Sequence, residues 1–180
     1  MPDRRVAVVL AVAAIAGAGV AAALLFTGGE ISRQAMVAER GARVMPFSLD
    51  ATTHVFDKNA TGGTQRVVAD APGDRTEIRL IRQHLREEAA AFRSGDFADP
   101  ASIHGEEMPG LAALQTGSKR IEVRYRDLPD GAEITYRTSD SLLAAAIGDW
   151  FDAQLSDHGT DATRGEHSGS DHSTHSAHEH

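Results

Sequence analysis

The chain has 180 residues and no cysteine, and 26 acidic against 18 basic side chains give it a formal net charge of −8 at pH 7. The length allows one domain of ordinary size with tails, and the absence of cysteine excludes disulfides, thiolate metal sites and a cysteine nucleophile. The acidic balance argues against nucleic acid as a partner, because such binding needs a basic surface that neutralises phosphates.

An apolar run near the N-terminus predicts a transmembrane helix within residues 1–29. Val6 to Phe26 include no charged or polar side chain, and a helix of that length spans about 30 Å, the thickness of a bilayer core. Arg4 and Arg5 precede the run, which predicts a single-pass protein of the cell membrane with its C-terminal domain outside the cytoplasm. A cleaved signal peptide, leaving a periplasmic or secreted domain, is the alternative. The uncleaved anchor is favoured because the apolar run continues beyond the small residues at which cleavage would occur.

The rest of the chain divides into three segments by composition. Residues 30–44 are polar and weakly helical, which predicts a stalk between membrane and domain. Residues 45–158 carry the alternating and helical apolar patterns of a folded domain. Residues 159–180 consist mainly of Gly, Ser, Thr, Asp and His without a large apolar residue, which predicts a disordered tail.

The first half of the domain predicts a hairpin followed by a helix. Alternation over Thr52–Asp57 and Thr64–Ala69 indicates two strands, joined by the turn at residues 59–63. Asp74 is placed to cap a helix that ends at Ser94-Gly95. The apolar stripe of this helix is Ile78, Ile81, Leu85, Ala89 and Phe92.

The second half repeats this pattern after an irregular segment. Residues 96–118 predict little regular structure beyond a helical turn at residues 111–114. Strands are predicted over Lys119–Asp127 and Ala132–Thr138, and Asp140 precedes a last helix. The apolar residues of that helix are Leu142, Leu143, Ala146, Ile147, Trp150, Phe151 and Leu155. The order β-β-α-β-β-α predicts an α+β fold, a two-layer domain in which both helices pack on one face of an antiparallel sheet.

Histidines are the chemically distinctive residues of the domain. Four histidines stand at positions where a purely structural fold favours other residue types. One lies in mid-strand, two lie in or beside predicted helices, and one lies in a loop. With an i+4 glutamate and a methionine they predict a copper or zinc site, since imidazole and thioether suit copper and imidazole with carboxylate suits zinc. The candidate ligands are His54, His84, Glu88, His104, Met108 and His158.

The tail offers a second set of metal ligands. Neutral imidazoles on a mobile chain bind Cu²⁺, Ni²⁺ and Zn²⁺ with low selectivity. The tail candidates are His167, His172, His175, His178 and His180. The alternative for the tail is a pH-sensitive, solvated segment without a metal role. The alternative for the protein as a whole is a non-catalytic structural or protein-interaction domain with incidental histidines.

Several motifs of the domain resemble a known family. These are Thr52-Thr53-His54-Val55-Phe56, Ile81-Arg82-Gln83-His84-Leu85, Gly95-Asp96-Phe97, Ile103-His104, Pro109-Gly110 and the terminal Phe151, Gln154 and His158. The pattern resembles a family of small bacterial membrane-anchored proteins of unestablished activity, some labelled aspartate carbamoyltransferase. That activity is rejected here, because it requires a phosphate-binding loop and a second domain. No catalytic residue is assigned, and the predicted partner is the membrane, through the N-terminal helix, with no protein partner specified.

Overall fold

The computed structural model describes Gly29 and residues 32–165, and it shows a mixed fold of five helices and one five-stranded sheet. The predicted α+β class is confirmed. The elements are α1 (32–44), β1 (Thr52–Asn59), β2 (Gly62–Ala69), α2 (Arg75–Ser94), α3 (Ala98–His104), α4 (Leu111–Gly117), β3 (Glu122–Asp127), β4 (Gly131–Arg137), α5 (Ser141–His158) and β5 (Ala162–Arg164).

The sheet has the strand order β3-β4-β2-β1-β5. Strands β1 to β4 pair antiparallel, and the register sets His54 opposite Val67 and Val67 opposite Ala132. Because side chains alternate along a strand, these paired residues point to one face, where all three are buried. One hydrophobic cluster joins this face to α2 and α5, and Trp150 lies within it as a fully buried side chain.

The helices begin where the sequence provides caps. The Asp74 carboxylate accepts hydrogen bonds from the backbone N–H groups of Thr76 and Glu77, as predicted. Asp140 caps α5 in the same way. Leu142 differs from the other predicted apolar residues of α5, because it lies in the exposed first turn of the helix.

Three features differ from the sequence-based expectations. Residues 96–118 are largely helical, since α3 and α4 form there. The sheet is not wholly antiparallel, because β5 pairs parallel to β1 and lies in the segment expected to be disordered. The segment expected to be a stalk forms α1, which buries Val37 and hydrogen-bonds to the domain through Arg33.

None of the helices within the described residues is both long and apolar enough to span a membrane. The predicted transmembrane run, Val6 to Phe26, lies outside the described residues.

Candidate metal centre

Two of the predicted ligands stand on one helix. His84 and Glu88 are four residues apart on α2, so their side chains project from the same face, one turn above the other. His84 is buried and Glu88 is half-buried at the edge of the apolar stripe.

A tight reversal of the chain brings a third ligand, Asp99, to this face. Gly95 ends α2 with a positive φ of 85°, a conformation that favours glycine. The Asp96 carboxylate then accepts a hydrogen bond from the Ala98 N–H, and the Phe97 ring stacks on Phe92 with ring centroids 4.6 Å apart. These contacts fix the start of α3, and Asp99 in its first turn therefore faces the side chains of α2.

Within residues 32–165, His84, Glu88 and Asp99 form a group whose ligand atoms all lie within 4.8 Å of one another. We call this group the triad. Ligand atoms around a tetrahedral zinc ion are about 3.4 Å apart at usual Zn–N and Zn–O lengths. Small side-chain rotations would therefore suffice for the triad to hold an ion.

Burial shifts the pKa values of the two triad members on α2. Burial lowers the pKa of His84, although the nearby carboxylates of Asp99 and Glu87 oppose this, so the imidazole is neutral at pH 7 with a free lone pair. Burial also raises the pKa of Glu88 to about 8, and the Coulombic and hydrogen-bonding effects of Asp99 act in the same direction. Without an ion, the Glu88 carboxyl group is therefore largely protonated at neutral pH.

The triad lines a cavity of about 30 Å³ whose walls come from β1, β2, β4, α2, α3, α5 and the segment before β1. The cavity walls also include His54 and His104, so four of the six predicted domain ligands border one space. Apolar side chains, among them Phe47 and Ile103, form much of the remaining wall. A volume of this size holds about two water molecules.

The other histidines form a second group, which we call the imidazole stack: His54, His104 and His158. The His54 and His158 rings stack with centroids 4.5 Å apart and an angle of 11° between their planes. The His104 ring packs edge-to-face against the His158 ring, with centroids 5.1 Å apart. All three side chains are buried.

Two members of the imidazole stack, His54 and His158, are neutral at physiological pH. Burial, followed by the nearby His104 and His84, lowers the pKa of His54 to about 4. Burial and the neighbouring imidazoles of His54 and His104 hold the pKa of His158 well below its usual value. Among the described residues, these three imidazoles are not part of the group whose ligand atoms all lie within 4.8 Å of one another.

Helix α1 is connected to the imidazole stack by the buried carboxylate of Asp157. Asp157 is 3% exposed, hydrogen-bonds to His104 Nδ1 at 2.9 Å, and accepts a hydrogen bond from Arg33 Nη2 at 2.7 Å. Burial acts to raise the Asp157 pKa, but the bonds to His104 and Arg33 outweigh it and hold this pKa below its usual value. Arg33 and Arg40 also donate to the backbone oxygens of His104 and Ile103 at the C-terminus of α3, where cations are favoured.

The structure therefore divides the predicted ligand set. His84 and Glu88 join the triad, while His54, His104 and His158 form the imidazole stack. Met108 is a buried member of the hydrophobic core. The five tail histidines lie outside the described residues.

Sequence reasoning missed two acids that organise these groups. Asp99 lies in a segment predicted to be irregular, and Asp157 stands next to His158 near the end of α5. A short helix predicted over residues 98–104 would have placed Asp99 in the first turn of that helix, where acidic residues are common. No local signal predicts that Asp157 is buried, because its partners are 53 and 124 residues away along the chain.

Comparisons with protein-family models, with curated proteins and with solved structures found no match to this chain.

Proposed function

We propose that this protein is a membrane-anchored, extracytoplasmic domain that binds a divalent transition metal, with zinc as the best fit, at the triad. The observation that carries the proposal is the convergence of His84, Glu88 and Asp99, whose ligand atoms lie within 4.8 Å of one another. One imidazole nitrogen and two carboxylate oxygens make a set of three protein ligands. Zinc sites with three protein ligands keep a fourth position for water or another small molecule.

The donor set favours zinc over copper(I). Copper(I) prefers soft sulfur ligands, and the one methionine considered for this role, Met108, packs in the core. Nitrogen and oxygen donors suit Zn²⁺, and a neutral His84 with two carboxylates compensates the charge of a divalent ion. The role consistent with such a site is sequestration or delivery of the metal.

The direct test is a zinc titration of a full-length chain in which the five tail histidines are replaced by asparagine. We call this the tail-substituted chain, and it removes the competing imidazoles. Isothermal titration calorimetry is expected to show one zinc ion per chain, and Asp99→Asn is expected to weaken binding at least about thirtyfold, because three ligands leave none to spare. Asp96→Asn is the matched control, since it removes the same charge at the exposed neighbour and retains an oxygen that can cap Ala98. Absence of zinc binding would contradict the proposal and leave the histidines with a structural role.

The cellular location is a separate part of the proposal. It is supported by the apolar run from Val6 to Phe26 and by the two arginines before it. In cells, the chain is expected in the membrane fraction, and external protease is expected to degrade the domain once the outer barriers are opened. Removal of residues 6–26 is expected to release the protein into the soluble fraction. Recovery of the full-length chain as a soluble cytoplasmic protein would contradict this location.

A further inference from the structure

Three polar side-chain atoms around the cavity have no hydrogen-bond partner within the described part of the chain. They are His54 Nδ1, Trp150 Nε1 and Gln154 Nε2, and all three residues line the cavity that the triad borders. The residues are 2%, 1% and 5% exposed, respectively. A buried polar group without a partner costs about 1–3 kcal/mol, so a concentration of three around one cavity indicates that a polar ligand occupies it.

The chemistry of these atoms indicates which ligand. An indole N–H can only donate a hydrogen bond, and an amide nitrogen also donates. Trp150 and Gln154 are four residues apart on α5, so both project from one face of the helix toward the cavity. Two donors that line the same cavity as the candidate metal position favour an occupant with acceptor oxygens.

The position of the indole donor is fixed by its surroundings. The Trp150 ring packs edge-to-face against Phe92, Phe97 and Tyr136, with centroids 5.6–5.9 Å apart. A ring held on three sides presents its N–H in one direction without reorganisation. Such donors stabilise an anion more strongly than mobile ones do, because water is largely excluded and no ordering cost remains.

We propose that the cavity binds a small oxyanion, of the monocarboxylate or carbonate class, as an external ligand of the metal, and that Trp150 and Gln154 donate the hydrogen bonds that orient it. This inference rests on the proposed metal function of the triad. One anion oxygen takes the coordination position that three protein ligands leave open. A second oxygen accepts from α5, and His54 on β1 borders the same space.

The size of the cavity limits the anion. About 30 Å³ accommodates two water molecules, so the anion has only a few non-hydrogen atoms. Formate and bicarbonate fit this limit, whereas the buried apolar walls of Phe47 and Ile103 oppose larger or more hydrated ions.

The test uses the tail-substituted chain loaded with Co²⁺, whose visible absorption reports on its ligands. Formate is expected to change this spectrum in a saturable manner, whereas chloride at equal ionic strength is expected to leave it unchanged. Gln154→Met, which preserves size, and Trp150→Phe, which keeps an aromatic ring but is smaller, each remove one donor and are each expected to weaken formate binding about tenfold. Both variants are expected to keep the Co²⁺ affinity of the parent chain.

The outcomes separate the two proposals. A Co²⁺ spectrum that formate does not alter overturns the oxyanion site and leaves the metal site standing. Formate binding that is equally strong in both variants overturns the assignment of the donors. Failure of the parent chain to bind Co²⁺ overturns the metal site, and the oxyanion site with it. If Trp150→Phe does not fold, Gln154→Met decides the question, because Gln154 lies at the cavity edge of α5, one turn beyond Trp150.

Discussion

Replacing Glu88 with glutamine is expected to have opposite effects on metal binding and on the stability of the metal-free protein. The variant loses a ligand oxygen that carries charge, so zinc affinity should fall by about two orders of magnitude. The folded protein raises the pKa of Glu88 to about 8, whereas the unfolded chain ionises this group near its ordinary value. Glutamine is neutral in both states, and Glu88→Gln should therefore stabilise the metal-free fold by about 2 kcal/mol at pH 7.

Calorimetry of zinc binding and urea unfolding in the presence of a chelator measure the two effects. Glu87→Gln is the matched control, because Glu87 is the exposed neighbour and the substitution changes the net charge equally. It should alter both quantities little. A Glu88→Gln variant that binds zinc as tightly as the parent would exclude Glu88 as a ligand. Unchanged or lower stability would show that burial does not hold this carboxyl group in its protonated form.

The metal-free protein is expected to be most stable near pH 6.5 and to lose stability on both sides. His54 and His158 have lowered pKa values in the folded state, so the unfolded chain binds protons first as the pH falls from about 6.5 toward 4. Their contribution is complete above pH 6.5 and is lost on acidification. Glu88 acts in the opposite sense, because its raised pKa favours the protonated folded state and its contribution is lost as the pH rises toward 8. Together with His84, whose pKa burial also lowers, these histidines have a larger effect than Glu88 on the acid side. The free energy of unfolding is expected to fall by about 1–3 kcal/mol between pH 6.5 and pH 5.

Urea unfolding from pH 4.5 to pH 8.5 in a chelating buffer tests this profile. His158→Gln should reduce the acid slope, and its effect at pH 8 measures the loss of ring packing alone. Glu88→Gln should remove the alkaline decline and make the acid slope steeper. A profile that is flat between pH 6.5 and pH 5 would mean that these imidazoles are as easily protonated in the folded protein as in the unfolded chain.

The imidazole stack and the triad differ in arrangement, although His54 and His104 of the stack line the same cavity as the triad. The triad offers nitrogen and oxygen lone pairs to a cation. The stack packs imidazole rings from β1, α3 and α5 against one another, and Asp157 connects it to α1 through Arg33.

Local chemistry determined the elements of the central domain. The alternating strands, the stripe on α2 and the caps Asp74 and Asp140 depend on residues a few positions apart, and the structure contains each of them. The i, i+4 pair of His84 and Glu88 is also a local feature, since helical geometry alone sets its side chains on one face.

Tertiary structure alone decided which histidines converge. Asp99 reaches Glu88 because Gly95 and Phe97 reverse the chain, and Asp157 meets Arg33 across 124 positions of sequence. The parallel edge strand β5 is equally non-local, because three residues of low apolar content acquire a structure only by pairing with β1. Contacts of this kind depend on how burial of the whole core orients separate elements. The hydrophobic pattern within one segment does not predict that orientation. The sequence therefore determined the types of candidate ligand and two of the triad positions, whereas packing added Asp99 as the third member and assigned the remaining domain histidines to the imidazole stack.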